Sequence, residues 1–184
     1  MQTRFAVAAL LLFAAPALAR EVAGVHLPDS VTVDGKQLAL NGAGIRKKFI
    51  FKVYVGGLYL DAPATSLEAI VSGDHARSVH MHFVRSVEKE KIIGAFKEGF
   101  EKNSKDKVAQ LQPGLDKLAG ALTDVKDGSE IIVDYTPGKG TTVAMKGGSP
   151  VTIEGKEFGD ALLRNWLGAE PADGDLKAAM LGGK

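Results

Sequence analysis

NGAGIRKKFIFKVYVGGLYL, from Asn41 to Leu60, sets the character of the fold. From Phe49 onward most positions are β-branched or aromatic, a composition that suits a pleated, buried strand better than a helix. Alternation along such a strand puts Phe49, Phe51, Val53, Val55 and Tyr59 on one face and Ile50, Lys52, Tyr54, Leu58 and Leu60 on the other. The second face carries an ammonium and a phenol within an apolar surface. Each needs water, a partner or a ligand to offset its burial. With Arg46 just upstream, the segment predicts a pocket for an amphiphile.

Outward from this segment, the chain reads as one domain. Val22 to Leu27 and Val31 to Leu40 are short and apolar-rich, and Asp34-Gly35 is a hairpin-turn dipeptide. Pro63 ends the long strand, and Thr65 or Ser66 caps a short helix from Leu67 to Val71. Ser78 to Val84 alternates, with Val79, Met81 and Phe83 on one face and His80 and His82 on the other. Ile92, Ile93, Phe96 and Phe100 recur at helical spacing after a modest start signal at Ser86. Val108, Leu111, Leu115, Leu118 and Leu122 do the same, with Pro113-Gly114 a predicted kink or boundary. Glu130 to Tyr135 and Thr141 to Met145 return to period two around a Pro-Gly turn, and Val151 to Ile153 adds a third strand. Phe158, Leu162 and Trp166 place a stripe on a closing helix that stops at Gly168. The small-residue tail from Glu170 onward is expected to pair weakly or fray. Strands, then helices, then strands and a closing helix predict an α+β fold, an antiparallel sheet with helices on one face and a ligand cleft between the layers.

Composition removes several function classes. Residues 1–19 carry Arg4, an apolar stretch from Phe5 to Ala15, and the small-x-small pattern Ala17-Leu18-Ala19. These are the marks of a cleaved secretory signal, and the stretch is shorter than the roughly 20 residues a spanning helix needs. The mature domain is then residues 20–184, exported to the periplasm or secreted, with no transmembrane segment. The chain has no Cys, which excludes disulfides, thiol catalysis and thiolate metal sites. Loss of Arg4 leaves 22 basic residues of 23 against 22 acidic ones, a balance that argues against nucleic acid as a partner. His80 and His82 read as surface or partly buried histidines rather than metal ligands. The Glu88 to Lys91 run reads as a solvated helix face. Gly147-Gly148-Ser149 lacks the order of a phosphate loop, and no serine sits in a nucleophile elbow.

The segment GAGIR followed by KFIFKVYVGGLYL resembles the signature of the chalcone isomerase fold family, specifically its bacterial exported chalcone isomerase-like branch. The resemblance implies an open-faced β-sandwich, a large antiparallel sheet covered on one face by helices. It also implies a Gly-rich turn carrying an Arg, here Arg46. In the plant enzymes that Arg stabilises the oxyanion as a phenolate adds across an enone. The enzymes' Thr on the following strand falls at Tyr54. Their Tyr and Asn fall in the Val87 to Lys97 region, which offers Glu88, Lys89, Glu90, Lys91 and Lys97 instead, and their polar position on the closing helix falls near Gly159 and Asp160. The fatty-acid-binding branch of the family pairs the Arg with a Tyr to hold a carboxylate, and Arg46 and Tyr54 match that pair in type and order. A guanidinium offers two parallel donors to a carboxylate and a phenol a third. The resemblance implies a cofactor-free binder of a fatty acid or similar amphiphile, contacting Arg46, Tyr54 and Lys52. Its alternative is an isomerase or intramolecular lyase acting on an enone, with Arg46 catalytic. On residue chemistry alone, Arg46 could equally tie its turn to a carbonyl, Tyr54 be a core Tyr, and Lys52 be a snorkelling edge residue.

Overall fold

The computed structural model describes residues 20–183; the predicted signal segment lies outside them. Strands β1 (Arg20–Val22) and β2 (Val25–Leu27) form a separate hairpin. The sequence predicts one strand there, but Ala23 and Gly24 both take left-handed φ and fold it back. The large sheet comprises β3 (Ser30–Val33), β4 (Lys36–Lys48), β5 (Phe51–Leu60), β6 (Arg77–Phe83), β7 (Glu130–Thr136), β8 (Gly140–Met145) and β9 (Val151–Ile153). All seven are antiparallel, each paired with its neighbour in sequence. Asp34 and Gly35, with φ of 50° and 79°, make the predicted tight turn between β3 and β4.

Helices α1 (Leu67–Val71), α2 (Lys89–Asn103), α3 (Val108–Ala121), α4 (Lys156–Leu167) and α5 (Gly174–Met180) complete the chain. One face of the sheet, through Leu58, Val79, Met81 and Phe83, shares the main core with Phe96, Phe100, Leu118, Leu162 and Trp166 of the helices. The opposite face receives the β1–β2 hairpin, whose Val25 and Leu27 cover Ala43 and Val55. This is the α+β, open-faced arrangement expected. Ser66 caps α1 as predicted, its Oγ accepting from the Ala69 N–H. At α2 the predicted Ser86 cap gives way to Asp124, which accepts the Lys89 N–H at 2.8 Å from outside the helix. Helix α3 runs on through Pro113 rather than ending there, carried by buried Leu111, Leu115 and Leu118.

Two expectations are overturned. Gly42 and Gly44 lie within β4, not in a turn, and Arg46 therefore stands on a strand. The tail does not fray. It forms α5, capped by Asp173 and anchored by Leu176 and Met180, 1% and 0% exposed. The two facts share a cause, because a Cβ on Gly42 would lie 2.1 Å from the Ala179 carbonyl oxygen and one on Gly44 2.6 Å from the Ala179 methyl. The bare glycine strand is the seat of the last helix.

Candidate functional site

Arg46 on β4 pairs across the ladder with Tyr54 on β5, and Tyr54 with Phe83 on β6. Directly opposed residues share a face, so an Arg, a Tyr and a Phe form a row on the helix side of the sheet. The Arg46 guanidinium carbon lies 5.9 Å from the Tyr54 ring centre, and the Tyr54 and Phe83 rings are 5.5 Å apart. Beyond this row the ladder slips: Lys47 faces Lys52, which leaves Val53 as an extra residue, a β-bulge. The bulge resets the alternation that the sequence implies. Val53 and Tyr54 line one and the same cavity, Phe51 turns to the helix side, and Lys52 is exposed and lines neither cavity described below. Lys52 is thereby separated from Arg46 and Tyr54, contrary to the shared face expected for it.

Two adjoining cavities lie between the sheet and α2. The outer, of about 400 Å³, is bounded by Arg46, Lys48, Phe49, Phe51 and Val53 on the hairpin side and by Arg85, Val87, Glu88, Lys91 and Asp124 opposite. The inner, of about 60 Å³, is apolar apart from a few groups, with Tyr54, Met81, Phe83, Ile92, Phe96 and Trp166 in its wall. Arg46, Val53, Val87, Lys91 and Ala95 border both, and so mark the throat. An outer volume of this size is within the range of small-molecule sites.

Arg46 at the throat and Tyr54 just inside it offer donors, and deeper in the inner cavity the buried Asn165 Oδ1 has no partner among the described residues. Among the described residues the half-buried Arg46 guanidinium has no hydrogen-bond or ion-pair partner. Tyr54 Oη accepts a 2.9 Å hydrogen bond from Trp166 Nε1, so its own proton remains free to donate. Burial, only partly offset by the nearby Arg46 charge, pushes the phenol up to about 12, which keeps that proton in place near neutral pH. The cations Arg46, Lys48, Arg85 and Lys91 face the outer cavity with two anions, and both anions are engaged. Glu88 pairs with Lys91 at 2.9 Å, and Asp124 accepts the N–H of Lys89. The field at the mouth therefore favours an anion.

The remaining sequence candidates fall elsewhere. Asp160 is held by Arg77 and Lys156, both at 2.5 Å, and lines neither throat cavity. Gly159 packs on Tyr135. From the Val87 to Lys97 region the inner cavity receives Val87, Lys91, Ile92, Ala95 and Phe96. The closing helix instead contributes Asn165 and Trp166, which the sequence reading missed as site residues. Trp166 was legible only as core, although a buried indole N–H needs an acceptor and a strand Tyr is a natural one. Asn165 donates to the carbonyls of Ala161 and Leu162, and its Oδ1 abuts Gly99 of α2. His82 pairs with Glu130, and His80 stacks on Tyr59 at 4.8 Å. Among the described residues no cluster of three or more His, Cys, Asp or Glu is arranged to hold a metal, and no helix is long and apolar enough to cross a membrane.

A search of curated proteins by sequence finds no match. Comparison with solved structures finds a fatty-acid binding protein of Arabidopsis thaliana, 19% identical, with a TM-score of 0.67 over 89% of this chain and 95% of that chain. At that identity the likeness is one of fold. A profile of the chalcone isomerase-like family matches residues 19–182, a span that takes in the whole sheet, the helices and both cavities, and the chain accordingly belongs to the chalcone isomerase-like family.

Proposed function

We propose that this protein is an exported, cofactor-free binder of a fatty acid or similar carboxylate-bearing amphiphile, and that it holds rather than converts its ligand. The observation that carries the reading is Arg46, without a partner among the described residues, over the ring of a Tyr54 whose hydroxyl proton is free, at the entrance to an apolar inner cavity. The carboxylate sits on Arg46 and Tyr54. The inner cavity, at about 60 Å³, is too small for a long chain, so the acyl tail runs outward over Val53, Phe51 and Phe49. The fatty-acid binding protein that shares the fold supports this ligand class. Lys91 and Ala95 face the throat from the helix where the family's enzymes carry Tyr and Asn, which supports binding over enone chemistry.

Delipidated protein titrated with long-chain fatty acids should bind them, and Arg46→Ala should weaken binding by about 1.5–3 kcal/mol, the range for a hydrogen bond to a charged group. Absence of binding to any acyl carboxylate, or an unaffected variant, refutes the assignment. Cyclisation of a chalcone faster with the protein than in buffer, abolished in Arg46→Ala, overturns the non-catalytic half of it.

A further inference from the structure

The tip of the β4–β5 hairpin is unlike the rest of the surface. Phe49, Ile50 and Phe51 are 88%, 86% and 53% exposed, and they are the large exposed hydrophobic residues among the described ones. They are consecutive, and the turn is a two-residue one between Lys48 and Phe51. Such turns ordinarily take Gly, Asn or Asp, because the first position needs a left-handed φ. Here Phe49 occupies it at φ 57°, a conformation that disfavours a bulky aromatic. Neither solubility nor turn chemistry explains three large apolar groups at that point.

Their flanks are basic. Residues 47 to 52 read KKFIFK, all exposed. Arg85 adds a guanidinium 4.9 Å over the Phe51 ring. Of the acids beside them, Asp175 lies 4.0 Å from Lys47 Nζ and is itself almost fully exposed, and Asp173 is occupied by the Lys47 backbone N–H at 2.8 Å. Apolar groups at an extremity with cations behind them are the chemistry of insertion into an anionic lipid surface, where rings and aliphatic side chains enter the interface and lysines meet headgroups. A second copy of the chain fits worse, because apposed tips would bring two lysine clusters together. The placement also has a use: Lys48, Phe49 and Phe51 border the outer cavity, so the tip and the cleft mouth share residues.

We infer that the hairpin tip, residues 47 to 52, docks the protein on bilayers bearing anionic headgroups, setting the cleft mouth against the lipid so that an acyl ligand passes between membrane and cleft along Phe49 and Phe51. The transfer step rests on the acyl-carboxylate reading above; the docking does not.

Co-sedimentation of the protein with mixed phosphatidylcholine–phosphatidylglycerol vesicles, against phosphatidylcholine alone, tests it. Binding should require the anionic lipid and fall with salt. Ile50→Asp should weaken it roughly tenfold or more, since a fully buried aliphatic side chain is withdrawn from the lipid. Lys52→Glu should weaken it roughly fivefold or more, the equivalent of about 1 kcal/mol per basic residue near such a surface. Neither residue lines a cavity, so both variants should bind a soluble medium-chain acid, without vesicles, as the parent does. That arm separates failure at the tip from failure of the acyl site, which Arg46→Ala reports. No vesicle binding by the parent, or equal binding by parent and both variants, overturns the inference. A parent dimer that Ile50→Asp splits, without vesicle binding, gives the tip to a second copy and overturns it as well.

Discussion

Glycine-to-alanine substitutions should change stability with opposite sign at different positions, and the sign follows from what a Cβ meets. At Gly42 it meets backbone: the Ala179 oxygen at 2.1 Å and the Met180 oxygen at 2.7 Å. Backbone cannot swing aside, so either β4 distorts or α5 lifts. Distortion in a packed site costs about 1–3 kcal/mol. Lifting α5 exposes Leu176 and Met180, at about 1.5–3 kcal/mol each, and so about 3–6 kcal/mol in all. It also breaks the 2.8 Å bond from Asn41 Nδ2 to the Met180 carbonyl. Gly42→Ala should therefore lose at least about 1 kcal/mol, read as a lower urea midpoint at constant slope, with faster hydrogen exchange across residues 174 to 183. At Gly94 in α2 and Gly120 in α3 an added Cβ meets nothing within 4 Å. Those substitutions should each gain about 0.5–1 kcal/mol from reduced chain entropy and better helix propensity. A Gly42→Ala protein as stable as the parent, with α5 exchange unchanged, would show that the glycines of GAG are not there to seat the helix.

Two further outcomes are expected. The chain has three tyrosines, and burial raises all three, Tyr54 and Tyr135 to about 12 and Tyr59 further still. A raised phenol keeps its full stabilising share below pH 10 and loses it as pH climbs to its folded value, so stability should fall between pH 10 and 12. For the fully buried Tyr54 the loss approaches about 3 kcal/mol, two units at 1.36 kcal/mol each. Phenolate absorbance should then appear late and together with unfolding; a non-cooperative rise centred on pH 10 would contradict it. For export, residues 1–19 fused ahead of a reporter active only outside the cytoplasm should carry it there and be cleaved before Arg20. A reporter retained inside refutes that expectation.

The strand and helix order was legible because the hydrophobic period switches cleanly. Val79, Met81 and Phe83 on one face of β6, and Phe158, Leu162 and Trp166 on one side of α4, are simple consequences of spacing. What spacing could not carry was the interruption of a period. The bulge at Val53 moves Lys52 away from Tyr54 without any residue to announce it, since Val is an ordinary strand residue. The turn at Phe49-Ile50 was hidden for a related reason: an aromatic and a β-branched residue stand where turn chemistry expects Gly or Asn, so the run reads as one strand. The seating of α5 was invisible because a glycine-rich stretch looks like a turn until a partner needs its bare surface. At α5 tertiary contact overrides the local signal, whereas the bulge and the turn interrupt a period at residues that do not announce it, and both of these border the cleft.

The position of Arg46 decides more than its identity does. An Arg retained only for structure would tie its strand to a carbonyl or a carboxylate, as Arg77 does to Asp160 at 2.5 Å elsewhere in this fold. Arg46 is half-buried at a throat, yet among the described residues nothing accepts from it, and the two acids that line the outer cavity are engaged by Lys91 and by the N–H of Lys89. A partly buried guanidinium gains most from an acceptor of opposite charge, and an arriving carboxylate supplies one. The same accounting applies to Tyr54. Its lone pair is taken by Trp166, which fixes the ring and leaves the proton for the ligand. A cleft with two prepared donors and an excess of cations at its mouth is complementary to an anion, and its apolar walls and apolar hairpin tip give that anion a tail.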